Sequence, residues 1–308
     1  MLLLPLIGCG PDPAPPEPVE PDEPPIDPAP WTFVSTGDEA PGFQPETLGR
    51  VVEAAAAQVL TYDAEPVIDA YTALFEGSSD ATCPTVTLDP SGNRYWVDGC
   101  TADDGTFFGG YLSDVRFTDT VDAEAGLVYN GTQLAGNVAL IGPEGAFDLE
   151  GSALWIDGVS LDGAVELVVS ALVGGFYLQG DPSWLGEPAS VNVTLTGYSV
   201  PAYGGVATQA DGSVPVVVDG DRYDVWFHAV SVGDAGVGSL CEEEPGGMLE
   251  IRDPWGRWVE VTFHGPVIGV DGGDPSRCDG CGDALFDGQE IGSVCAGFDP
   301  WFQWEKLP

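Results

Sequence analysis

The sequence predicts a mainly β fold: two short N-terminal helices followed by a long antiparallel meander, as a curved sheet, half-barrel or sandwich. Three observations lead there. Apolar residues recur at helical spacing only ahead of Gly77. From Thr82 onward, short runs rich in Val, Leu, Phe, Tyr, Trp and Thr alternate with turns of Gly, Asp, Pro and Ser. Cysteines flank two of the tightest of these turns, as staples across hairpins would.

The first helix is expected to begin at Pro45, because proline suits a first helical position, where its missing N–H costs nothing. Leu48, Val51, Val52, Ala55 and Val59 then form one apolar face. A second helix is expected over 65–76, with Pro66 at its start and Gly77 as its stop; Val67, Tyr71, Leu74 and Phe75 share its face. Strand-like runs follow at 94–97, 106–117, 138–141, 146–156, 164–173 and 190–200. Four more come at 214–218, 223–232, 248–252 and 255–264. Gly136, Gly151 and Gly163 fall within or beside such runs and predict sharp bending of the sheet. A seam near 180–188 could divide two sheet regions. No long polar linker marks it, so residues 31–308 read as a single disulfide-stapled β-rich domain.

Hydrophobic residues make up 44% and aromatics 10% of the 308 residues, enough for a globular core. Fifty acidic residues against eight basic ones give a formal charge of −42. That field repels nucleic acid, so no nucleic-acid partner is expected. It keeps the surface soluble, and it would attract cations.

The N-terminus carries the sharpest motif. Met1 to Ile7 is a short apolar run, and Leu6-Ile7-Gly8-Cys9 resembles the lipobox of bacterial lipoprotein signal peptides. The resemblance implies that residues 1–8 are a signal-peptide remnant and that Cys9 is diacylated, anchoring the exported chain in a membrane. Residues 10–30, rich in proline and acid, read as an extended tether. No basic segment precedes the short apolar run, so translation is expected to start upstream of Met1. By analogy with lipoprotein sorting, Gly10 after the cysteine points to the outer membrane of a Gram-negative bacterium.

Six cysteines remain. An even set in an exported chain reads as disulfides, and spacing favours Cys83–Cys100, Cys281–Cys295 and, by remainder, Cys241–Cys278. Cys278 and Cys281 also have the C-x-x-C spacing of redox and zinc sites. They sit in a glycine- and aspartate-rich loop, without the helix a redox pair needs or the second pair a zinc site wants.

No catalytic residue is assigned. His264 shares a strand face with Glu260 and Thr262, and His228 with Trp226 and Asp224; a solvated polar face explains both stripes. No nucleophile elbow is present. No metal or other cofactor is expected. Calcium is the alternative, with Asp219, Asp221, Asp271 and Asp274 as oxygen donors on tight glycine turns, where ordinary turn chemistry also accounts for them. Trp226, Trp255, Trp258, Trp301 and Trp304 crowd the last third and read first as core, otherwise as an aromatic surface for sugar or lipid.

Two helices leading into a long meander resemble, in element order, the half-barrel fold of periplasmic lipoprotein carriers and receptors. The expectation is therefore a lipid-anchored, non-enzymatic lipoprotein with a structural or binding role, its protein, lipid or glycan ligand unassigned. A lipid or lipoprotein carrier with an apolar concavity is the second reading, and a carboxylate-dependent hydrolase the third.

Overall fold

The computed structural model describes residues 43–143, 145–178, 191–234, 244–267, 277–304 and 307, with backbone alone at 176–178. Cys9, the tether, Cys241, Asp271 and Asp274 lie outside them, as does the seam near 180–188.

Two helices open the described chain, α1 (Pro45–Val59) and α2 (Ala64–Ser78). Thirteen strands follow: β1 (Val86–Leu88), β2 (Arg94–Thr101), β3 (Phe107–Asp122), β4 (Leu127–Gly142), β5 (Gly145–Ser160), β6 (Glu166–Leu178) and β7 (Val191–Val200), then β8 (Gly205–Val218), β9 (Asp221–Gly233), β10 (Gly246–Arg252), β11 (Trp258–His264), β12 (Cys281–Phe286) and β13 (Gln289–Cys295). Each strand pairs antiparallel with the next, so spatial order equals chain order from β1 to β13. The expected meander is what the chain builds. Among the described residues no ladder joins β13 back to β1, so the sheet stays open. It is continuous across 179–190, because β6 and β7 pair directly.

Alternation gives the sheet two unlike faces. The inner one carries Phe108, Leu134, Leu149, Leu172, Leu195, Val225, Leu249 and Val261, all fully buried. Against it lie both helices: α1 packs on β8, β9 and β13, and α2 on β4, β5 and β6. The apolar stripe read from the sequence is the face that docks, with Leu48, Val51, Val52, Ala55 and Val59 wholly buried. A 3-10 turn at Asp299–Gln303 closes the α1 side, where Trp301 packs against a tilted Phe227 and meets Phe298 edge to face.

The bend between the helices is tied to the sheet. Asp63 caps α2 by accepting the Glu65 N–H at 3.0 Å. Buried Ser170 on β6 accepts the Ala64 N–H at 2.8 Å and donates to the Asp63 carboxylate at 3.1 Å. The second helix runs past its expected stop. Gly77 remains in its last turn, and the Ser79 N–H satisfies the Phe75 carbonyl. Phe75 and Tyr71, anchored on the sheet, hold that turn in place despite the weak helical preference of glycine.

The central strands are longer than the apolar runs that announced them, since glycines placed at bends lie inside the ladders. Gly136, Gly151 and Gly174 are in register across β4, β5 and β6. Gly151 and Gly174 have φ of 148° and 113°. A Cβ on Gly151 would lie 1.9 Å from the Val173 carbonyl oxygen, and one on Gly174 2.0 Å from that of Glu150. Only glycine permits so close an approach in that conformation. Gly163, by contrast, sits in the β5–β6 turn with φ 70°.

Two disulfides follow the expected spacing. Cys83–Cys100 joins the start of β1 to the end of β2, and Cys281–Cys295 links residues directly opposite in the β12–β13 hairpin. Asp287-Gly288 forms that hairpin's two-residue turn with both φ positive. Cys278 is also disulfide-bonded, so Cys278 and Cys281 do not form a free dithiol.

Candidate functional site

The residues with the widest chemical range gather on the outer face of β9–β12. Alternation turns Asp224, Trp226 and His228 outward on β9, and Met248, Glu250 and Arg252 on β10. Strand β11 adds Trp258, Glu260, Thr262 and His264, and β12 adds Asp283. The register sets Glu250 opposite both Trp226 and Glu260, and Thr262 opposite Asp283. Both histidines of the chain stand here. Of its seven arginines, Arg222, Arg252, Arg257 and Arg277 fall in this stretch of sequence.

Each histidine faces a carboxylate. His228 Nε2 lies 3.1 Å from Glu250 Oε2, and His264 Nε2 lies 3.1 Å from Asp283 Oδ2. Arg277 binds the same Asp283 oxygen at 2.5 Å, and this guanidinium, with His264 adding to it, holds the Asp283 carboxyl below the usual aspartate range. Trp226 and Trp258 meet at 4.7 Å between ring centroids, with the Arg252 guanidinium 5.9 Å from the Trp258 ring.

The stripe expected from the sequence exists, but only Thr262 and Glu260 pair along the strand. Thr262 donates to Glu260 at 3.3 Å, whereas His264 turns across the sheet to Asp283. Asp283 lies directly opposite Thr262, so His264 reaches it one diagonal step across the ladder. Neither histidine is hydrogen-bonded to a hydroxyl or thiol among the described residues. As arranged, the groups form an outward-facing cluster of rings, carboxylates and imidazoles.

At one end of this face Glu244 is buried just ahead of β10. Its Oε2 accepts the Gly280 N–H at 2.6 Å, while Oε1 has no hydrogen-bond partner. Burial foremost raises its carboxyl above the ordinary range. Sequence reasoning missed Glu244, one acid among fifty, because only burial distinguishes it.

The remaining expected sites divide. Trp301 is wholly buried and Trp304 nearly so, which makes both core; Trp255 and Trp258 are exposed. Asp219 and Asp221 flank the β8–β9 turn, where Asp219 has φ 54° and pairs with Arg50 at 2.7 Å. Among the described residues no group of three or more His, Cys, Asp or Glu side chains is placed to hold a metal ion.

The inner face also holds a charge cluster that the sequence did not announce. Asp114 on β3 is fully buried and receives Arg116 at 2.7 Å and 3.2 Å, with Arg94 at 3.8 Å. Arg116 reaches on to Thr72 of α2, so the cluster fastens helix to sheet. No family model matches the chain, and no curated protein or solved structure is similar to it.

Proposed function

We propose that the chain is an exported, lipid-anchored lipoprotein with a binding role, held by Cys9 on the tether of residues 10–30 and meeting its partner through the outer face of β9–β12. One observation carries this reading. The inner face of the sheet is taken up by α1, whose apolar stripe is wholly buried there, and by α2, which buries Val67, Tyr71 and Phe75 and leaves Leu74 half-buried; the outer face is left to present side chains. Disulfides at Cys83–Cys100 and Cys281–Cys295 fit an oxidising compartment outside the cytoplasm. Neither histidine is hydrogen-bonded to a hydroxyl or thiol among the described residues, which fits recognition better than nucleophilic hydrolysis.

Growth of a Gram-negative host on radiolabelled palmitate tests the anchor. The full chain should take up label and sediment with membranes, and Cys9→Ser should lose both. An unlabelled wild-type chain would refute the anchor.

The carrier reading has one observation in its favour, two helices laid on the inner face of a curved meander. It would require α1 and α2 to lift from that face to admit an apolar ligand.

A further inference from the structure

On the same outer face, but at the far end of the strand order from the histidines, the side chains of β2–β5 form an open trough of about 670 Å³. Its wall is one row in register: Val97 lies opposite Tyr111, Tyr111 opposite Asn137, and Asn137 opposite Glu150. Tyr95 stands one diagonal step from Tyr111, within reach of its ring. The middle is kept low by small residues, Ser113 and Ala135 on the outer face and the bare backbone of Gly136 and Gly151. The glycines that permit close backbone approach between these strands therefore also leave this stretch of the outer face hollow.

The trough leaves apolar surface in water. Val97 is 78% exposed, Tyr111 54% and Tyr95 37%, all lining one depression. Contiguous exposure of this kind on a soluble surface marks a place where something binds. The polar end narrows the choice. The Asn137 amide both donates and accepts, and the Glu150 carboxylate accepts through two oxygens, which together suit neighbouring hydroxyl groups. An acyl chain would leave both unpaired on burial. No lysine, arginine or histidine lines the trough, Glu150 does, and the chain carries a charge of −42. Phosphate, sulfate and acidic polymers are repelled.

We propose that this trough binds a neutral saccharide chain, with Tyr111 and Tyr95 stacking on the C–H face of a sugar ring and Asn137 and Glu150 holding its hydroxyls. Its volume falls within the range of about 300–1,000 Å³ usual for ligand sites. Its open ends fit a segment of a longer polymer better than an enclosed small molecule. The inference is independent of the function proposed above, since neither Cys9 nor the histidine face enters it.

Calorimetric titration of the oxidised full chain, free of sugar-based detergent, tests it with tetrasaccharides of β-1,4-glucose, β-1,4-N-acetylglucosamine and α-1,4-glucose. At least one should bind. Tyr111→Ala should weaken it by about tenfold or more, the loss of one stacking contact. Tyr111→Phe should keep most of the affinity and Glu150→Gln should lose part of it. His228→Ala, on the distant strand β9 of the same face, should change nothing. Since Tyr111 is half-exposed, melting temperatures should stay level and separate lost binding from lost folding. The proposal is overturned if no tetrasaccharide binds, or if binding ignores Tyr111→Ala and Glu150→Gln. It is equally overturned if the trough instead takes polylysine or neutral phosphatidylcholine vesicles with the same dependence on Tyr111.

Discussion

Replacing Trp301 with alanine removes the largest fully buried side chain among the described residues. The residue joins three elements. The indole Nε1–H donates to the Ala56 carbonyl of α1 at 2.8 Å and the ring packs against Phe227 of β9, while the backbone carbonyl, which alanine keeps, accepts the Thr208 hydroxyl of β8 at 2.9 Å. Deleting a buried aromatic costs about 3–5 kcal/mol in lost transfer and residual cavity. The Ala56 carbonyl, left without its donor in a dry site, adds about 1–3 kcal/mol. A sum near 5 kcal/mol is a large part of the roughly 5–15 kcal/mol that holds a domain together. Urea denaturation of the oxidised protein should show the midpoint falling with little change in slope, and the melting temperature should drop by about 10–20 °C. Trp301→Phe, which keeps a ring and loses only the N–H and some volume, should cost less than half as much. A Trp301→Ala loss below about 1 kcal/mol would refute the claim that this indole pins α1 to the sheet.

Three further outcomes follow from other parts of the fold. Gly174→Ala places a Cβ 2.0 Å from the Glu150 carbonyl oxygen at φ 113°, and the strain and overlap should destabilise by about 3 kcal/mol or more in the same denaturation assay. Asp114→Ala strips the counter-charge from Arg116 and Arg94; because those guanidinia are about a third exposed and can rehydrate, the expected cost is about 2–3 kcal/mol rather than that of a fully buried pair. The Asp80 carboxyl is held down to about 2 by the Thr82 N–H first, then the Asp103 N–H, the Thr82 hydroxyl and the Cys83 N–H. Its folded value lies below the unfolded one, so its stabilisation is present above the ordinary aspartate range and is lost as pH falls through about 2. Asp80→Ala should therefore lose most stability at neutral pH and converge on the wild type in acid; parallel acid-unfolding curves would contradict this.

Local signals carried much of the architecture. The stripe from Leu48 to Val59, the proline at position 45 and the alternating runs after Thr82 each reflect spacing along one element, which a single sequence displays. The cysteines flanking the Asp89–Asn93 and Asp287-Gly288 turns were legible for the same reason, since a hairpin brings its own ends together. What escaped depends on register between strands. Gly136 and Gly151 were legible as bend positions, but that they stand side by side with Gly174 shows only once pairing sets the register. His264 sits on a strand with Glu260, yet meets Asp283 nineteen residues away. The row from Val97 to Glu150 spans four strands, and no window of sequence shows it. Asp114, Glu244 and Asp253 were hidden by abundance, because fifty acids offer no means of choosing the few that fold inside.

The most direct test of the account is a native mass of the full chain, exported in a Gram-negative host and released from its membranes without organic solvent. The account predicts covalent acylation at Cys9 and no other lipid, because the inner face is filled by α1 and α2. An unmodified Cys9 would contradict the anchor. A stoichiometric, non-covalent lipid that leaves on extraction would contradict the filled inner face and make the protein a carrier.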